Sequence, residues 1–246
     1  MSIIALASLA AVLAQSGSGQ DLLAKHVAAL TDAQSLTVTF TVEHLPAAPA
    51  TYKLVYSKPG MLRMDYPGGY TMTDGKTVWE YTDSSKEYTE GPGGIAELSK
   101  KIGSDEYLGW AAFFMPDQLK KVTDATIVKK LSMKGNPVTQ VDFTLDAIKN
   151  KVASFYIDDK LGVARAISVR AARGGDSNET LVKASEISLS ASPAAASLFA
   201  FAPPAGSKKI EVAASDLSKW YESLEEGLKV AKATNRMVFV DFGAEW

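Results

Sequence analysis

TYKLVYSKPGMLRMDYPGGYTMTDGKTVWEYTDSSKEYTE, residues 51–90, is the stretch whose reading decides the fold. Three turn signals cut it: Lys58-Pro59-Gly60, Pro67-Gly68-Gly69 and Asp74-Gly75. Proline presets a turn, glycine supplies positive φ, and Asp-Gly is a strong short-range hairpin signal. Between the turns apolar and polar side chains alternate. Tyr52, Leu54 and Tyr56 share one face, as do Leu62, Met64 and Tyr66, and this apolar side is expected to continue through Trp79 and Tyr81. Lys53, Arg63, Asp65 and Glu80 are expected opposite. That is the period of antiparallel strands with one apolar side. The apolar side is more aromatic than a thin sheet needs, so something must cover it.

Outward from this core the pattern persists. Residues 20–33 place Leu22, Leu23, Val27 and Leu30 at helical spacing. Residues 36–43 alternate without a break and read as a strand. Further strands are expected over 125–131, 138–145, 153–158, 163–169 and 180–190, separated by turn signals. Gly91-Pro92-Gly93-Gly94 breaks the sheet, and residues 95–121 read as one or two helices. The second part, around Trp110, Phe113 and Phe114, is apolar on most of its circumference and suits either a buried core helix or a mobile cover. The fold class expected is α+β: one strongly curved antiparallel sheet with covering helices.

The motifs Lys58-Pro59-Gly60-Met61-Leu62-Arg63 and Thr73-Asp74-Gly75-Lys76-Thr77-Val78-Trp79, with Phe199-Ala200-Phe201-Ala202-Pro203-Pro204-Ala205-Gly206 near the far end, resemble the outer-membrane lipoprotein carrier (LolA-like) family over residues 21–206. The resemblance implies an incomplete β-barrel whose helices form a lid over a hydrophobic cavity. It also implies a periplasmic carrier whose partner is a lipid or a lipoprotein acyl chain. The cavity is expected to use Leu54, Tyr56, Leu62, Met64, Trp79, Tyr81, Trp110, Phe113 and Phe114, with Met61, Met72, Met115 and Met133 as adaptable lining. Where the family has an arginine that latches the lid, this chain has Lys58, which lacks a planar fork.

Two flanking regions differ in character. Residues 1–14 are small and apolar, too short to span a bilayer, and read as a signal peptide followed by a linker over 15–20, so export to the periplasm is expected. After a second linker at 207–215, residues 216–246 run as a helix and then Val238-Phe239-Val240-Asp241-Phe242-Gly243-Ala244-Glu245-Trp246. This is similar to the opening of a thioredoxin-like domain, in which Asp241 falls at the buried carboxylate and a Cys-x-x-Cys would follow Trp246.

Composition limits the chemistry. The 246 residues carry a net charge of −2 with 46% apolar residues and no cysteine. No basic cluster suits nucleic acid, and thiolate catalysis and cysteine metal sites are excluded from the residues shown. His26 and His44 stand apart from other ligand types, so no metal and no cofactor are expected. Asp158-Asp159 reads as a turn with solvated charges. No catalytic constellation stands out, and binding is the better-supported activity. Three readings compete: an acyl-chain carrier, a thiol–disulfide oxidoreductase completed beyond Trp246, and an envelope-stress sensor module. A monomer, with an envelope protein as a further client, is expected.

Overall fold

The structure, a computed structural model, describes residues 18–44, 47–100, 116–144, 151–171, 179–211, 221 and 223–234. Helix α1 (Gly19–Asp32) opens it. Ser18 and Asp21 form a reciprocal capping box, with Asp21 N–H donating to Ser18 Oγ at 3.1 Å and Ser18 N–H to Asp21 Oδ2 at 2.8 Å. The start of α1 is pressed against the backbone near Ala125. A Cβ on Gly19 would lie 2.4 Å from the Ala125 carbonyl oxygen, so no larger residue fits without displacing the helix.

Eleven strands follow in chain order: β1 (Ser35–His44), β2 (Ala50–Ser57), β3 (Met61–Tyr66), β4 (Gly69–Thr73), β5 (Thr77–Thr82), β6 (Glu87–Pro92), β7 (Thr126–Met133), β8 (Asn136–Phe143), β9 (Lys151–Asp158), β10 (Ala164–Ala171) and β11 (Thr180–Ser190). Between β6 and β7 lie α2 (Ile95–Lys100) and a 3-10 helix over Pro116–Lys121. After β11 come a 3-10 helix over Ala196–Phe199, a two-residue strand β12 (Lys208–Lys209) and helix α3 (Leu224–Thr234). The strands form one open sheet in the order β12-β6-β5-β4-β3-β2-β1-β11-β10-β9-β8-β7. Every pairing is antiparallel except β12 beside β6.

The β-meander β2–β6 follows the turn signals read from the sequence. At the β7–β8 hairpin, Lys134 and Gly135 take positive φ (49° and 80°), the pair of left-handed residues that a two-residue turn matched to strand twist requires. Strand β6 runs on through Gly91-Pro92, so the expected break falls at Gly93 instead. A proline is tolerated there because it is the last residue of its strand and lies near the sheet edge.

One face of the sheet, the inner one, carries Leu36, Val38, Phe40, Leu54, Leu62, Met64, Val141, Phe143, Phe155, Ile157, Ile167 and Val182 in a continuous buried core. Leu23, Val27 and Leu30 of α1, with Leu98, Leu119 and Val122, belong to the same core. His26 is also fully buried here. Its Nδ1 accepts the Ala164 N–H at 3.2 Å, and its ring meets Phe155 edge-on at 5.5 Å. An isolated histidine thus acts as a packed hydrogen-bond acceptor.

The outer face is crossed by the segment after β11. Ser35 Oγ donates to the Ser192 carbonyl at 2.8 Å, and Ala194 N–H donates to Ser57 Oγ at 3.1 Å. Phe199 is buried, and Phe201 stacks on Trp79 with ring centroids 5.3 Å apart and planes 7° apart. Tyr88 and Tyr70 flank Phe201 at 5.0 and 6.5 Å. The segment then reaches the sheet edge, where β12 pairs with β6. The Phe-x-Phe-x-Pro-Pro-x-Gly motif is therefore a strap that ties the middle of the sheet to its edge.

Candidate functional site

Apolar strand residues do not by themselves make a cavity; the space depends on which face each occupies and what covers it. The register pairs Leu54 with Met64, Leu62 with Thr73, and Thr73 with Val78. Strand β4 thus shifts the alternation, putting Val78 and Glu80 on the inner face and Trp79 and Tyr81 on the outer one. This corrects the expectation of a single aromatic side. Trp79 and Tyr81 lie on the face away from Leu54, Leu62 and Met64, with Trp79 under Phe201 and Tyr81 beside Tyr70 at 5.3 Å. Met72, paired with Trp79, is buried on that same outer side. Alternation within each strand was legible; the parity carried across the Pro67-Gly68 and Asp74-Gly75 turns was not.

On the inner face, Leu54, Leu62 and Met64 are 0%, 0% and 1% exposed and Tyr56 is half-buried. They contribute to the packed core. Trp110, Phe113, Phe114 and Asp241 lie outside the described residues, as do residues 1–17 and the strand expected over 238–240. Within the tail resembling thioredoxin, helix α3 is seen over Leu224–Thr234, and nothing further of that resemblance is shown.

An apolar cavity of about 540 Å³ runs along α1. Its wall is a helical stripe, Leu23, Ala24, Val27 and Ala28, facing Leu119 and Val122 beside the 3-10 helix Pro116–Lys121. Leu23, Val27, Leu119 and Val122 are buried, while Ala24 and Ala28 are exposed. The two alanines leave room that larger residues at the same spacing would fill. Polar residues also line it: Gln20, Thr31, Asp32 and Lys120. Sequence reasoning placed Leu23 and Val27 on the buried side of α1 but did not select them as site residues; the paired alanines one helical step away were the available signal.

Lys58 acts at the other end of α1. Its Nζ donates to the Thr31 carbonyl, and its N–H donates to the Gln34 carbonyl at 3.0 Å. Helix α1 has no basic residue in its last turn, so the β2–β3 turn supplies the cation that the negative end of the helix favours. The described partner of Lys58 is therefore α1, which forms one wall of the cavity. Among the described residues, no three His, Asp or Glu side chains come together to hold a metal ion.

Asp158 corrects another expectation, that of a solvated turn charge. Its side chain is almost fully buried, accepting the Lys160 and Leu161 N–H groups at 2.8 and 2.9 Å and the Arg165 Nε–H. Burial pushes its carboxyl up, but the hydrogen bonds from Leu161, Arg165 and Lys160 outweigh that and hold it below the usual carboxylate value.

No protein-family model matches the sequence, and no curated protein matches it. Solved structures do resemble it. An uncharacterized conserved protein from Thermus thermophilus aligns with a TM-score of 0.50 and 10% identity, over 77% of this chain and 98% of that one. A chain of the Pseudomonas aeruginosa MucA/MucB complex aligns at 0.43 and 18% identity, over 74% of this chain and 61% of that one. A LolA-superfamily protein from Nitrosomonas europaea aligns at 0.38 and 9% identity, over 76% and 99%. With the Thermus protein this chain shares its fold and, at such identity, the fold alone: a large, open, mostly antiparallel sheet with helices, the architecture that the LolA-like resemblance implies.

Proposed function

We propose that residues 21–206 form a carrier-like module that binds the hydrocarbon tail of a lipid or lipoprotein in the groove beside α1. The observation that carries this reading is the lining: Leu23, Val27, Leu119 and Val122, with two alanines leaving space, around about 540 Å³. That volume lies within the range of roughly 300–1,000 Å³ common to small-ligand sites. Each buried methylene contributes about 0.8 kcal/mol, so a tail can be held by shape and apolar area without a matched polar partner. The N-terminal apolar run and the carrier-family motifs support a periplasmic setting, with an envelope protein as the client that delivers or receives the lipid.

Displacement of a fluorescent fatty acid from the full chain tests the proposal. Wild-type protein is expected to bind the probe and release it to unlabelled fatty acid. Ala24→Trp, which fills the groove from an exposed position, is expected to weaken binding at least about tenfold, the equivalent of losing roughly two buried methylenes. Its melting temperature should stay near that of wild type. Probe binding unchanged by Ala24→Trp would place the tail elsewhere and remove the argument.

A further inference from the structure

A second pocket, of about 560 Å³, lies on the outer face, the one away from α1. It is walled by Thr41 and Glu43 of β1, Lys183 and Ser185 of β11, Arg165 at the start of β10, and Met133, Lys134 and Asn136 of the β7–β8 turn. Its lining includes more charged side chains than that of the α1 groove. Three cations, Lys134, Arg165 and Lys183, face it against one carboxylate, Glu43.

The three cations are not equivalent. Lys183 is engaged by both oxygens of Glu43, at 2.7 and 2.8 Å. Arg165 is anchored from behind: its Nε–H goes to Asp158, whose other oxygen is taken by the Lys160 and Leu161 N–H groups. That single anchor orients the guanidinium and leaves its terminal nitrogens without a partner among the described residues. Lys134 has no ion pair among the described residues, and its backbone holds φ 49°, a conformation that lysine rarely adopts. A guanidinium fixed through Nε with its outer edge open, beside an unpaired ammonium, is the donor arrangement that a tetrahedral or planar oxyanion takes up bidentately.

We infer that this outer pocket, built by Arg165, Lys134 and Lys183, is a binding site for a phosphate-bearing ligand, either a free phosphate monoester or the head group of an anionic lipid. The phosphate accepts from the free edge of Arg165 and from Lys134 Nζ. Thr41 and Ser185 line the space left for the organic part. The site lies on the opposite face from the proposed acyl groove and stands independently of it.

Calorimetric titration of the full chain at low salt tests the inference, with inorganic phosphate in one arm and lysophosphatidic acid in the other. Lys134→Asn removes the charge with a residue that accepts positive φ, so the turn and the melting temperature are expected to be retained. Arg165→Lys keeps the charge and removes the fork. Each is expected to weaken phosphate binding about tenfold, the scale of one charge-assisted hydrogen bond. Inorganic phosphate binding that responds to Lys134→Asn assigns the pocket to free phosphate. Binding of lysophosphatidic acid alone, lost in Lys134→Asn but kept in Ala24→Trp, assigns it to a lipid head group. Failure of both ligands to bind, or binding that Lys134→Asn leaves unchanged, overturns the site.

Discussion

Single residues show how far local chemistry departs from what their neighbours in sequence suggest. Asp158 and Asp159 are adjacent, yet Asp158 is buried under Arg165 and two backbone donors while Asp159 accepts from Thr139 Oγ1 at 2.8 Å. A carboxyl held below its unfolded value of about 3.8 contributes stability that is present above that pH and lost as pH falls through the folded value. Asp21, Asp74 and Asp124 are lowered as well, Asp21 and Asp74 accepting hydrogen bonds from near neighbours and Asp124 from Thr144, so they act in the same direction. The urea midpoint is therefore expected to hold steady from neutral pH down to about pH 4 and to fall below it. Asp158→Asn should flatten part of that decline. A midpoint insensitive to acid would show that these carboxyls are not paired as described. Neither the burial of Asp158 nor that of His26 could be read from the chain, because each depends on a partner set by tertiary placement: Arg165 across a turn, and Ala164 at a separation of 138 residues.

At the scale of elements the sequence was most informative. The strand boundaries around Lys58-Pro59-Gly60, Pro67-Gly68-Gly69 and Asp74-Gly75 fall where the turn residues put them, because glycine and proline restrict the backbone before any packing occurs. What could not be read was parity. Parity flips at the Pro67-Gly68 turn and flips back at the Asp74-Gly75 turn, which leaves Trp79 and Tyr81 on the other face, and a register relation of that kind is decided by pairing rather than by composition. The cavity was likewise hidden, since it lies between α1 and a 3-10 helix nearly a hundred residues later in the chain. Gly19 governs that junction. Gly19→Ala would drive a methyl into the Ala125 carbonyl and is expected to displace the start of α1. The cost should be about 2 kcal/mol, within the range for overpacking. Denaturant unfolding reads the loss, and fatty-acid displacement should weaken in parallel. A variant as stable as wild type would mean that α1 does not sit against β7 so closely.

Across the whole molecule, the sheet is closed in the middle by its most distant partners. Strand β1 lies between β2 and β11, joining the two ends of the module through a long antiparallel ladder with a bulge at Thr39/Phe40. The strap then returns across the outer face to β6, so one aromatic cluster covers the outer side of β4–β6 while another, Phe40, Tyr52 and Tyr66, lies on the inner side of β1–β3. Phe201→Ala is expected to cost about 2–3 kcal/mol, combining lost burial with lost ring contacts. Affinity for fatty acid should be unchanged, since the stack and the α1 groove are on different faces. Loss of affinity at temperatures where the variant stays folded would link the two faces and contradict that separation.

The order in which that strap is attached also sets how the module bears mechanical load. Tension arriving from residues beyond Ile210 first meets the two-rung pairing of Lys208 and Lys209 with β6, next the Phe201 stack, and only then the long β1–β11 ladder. The tail is therefore expected to peel away under load before the sheet itself opens.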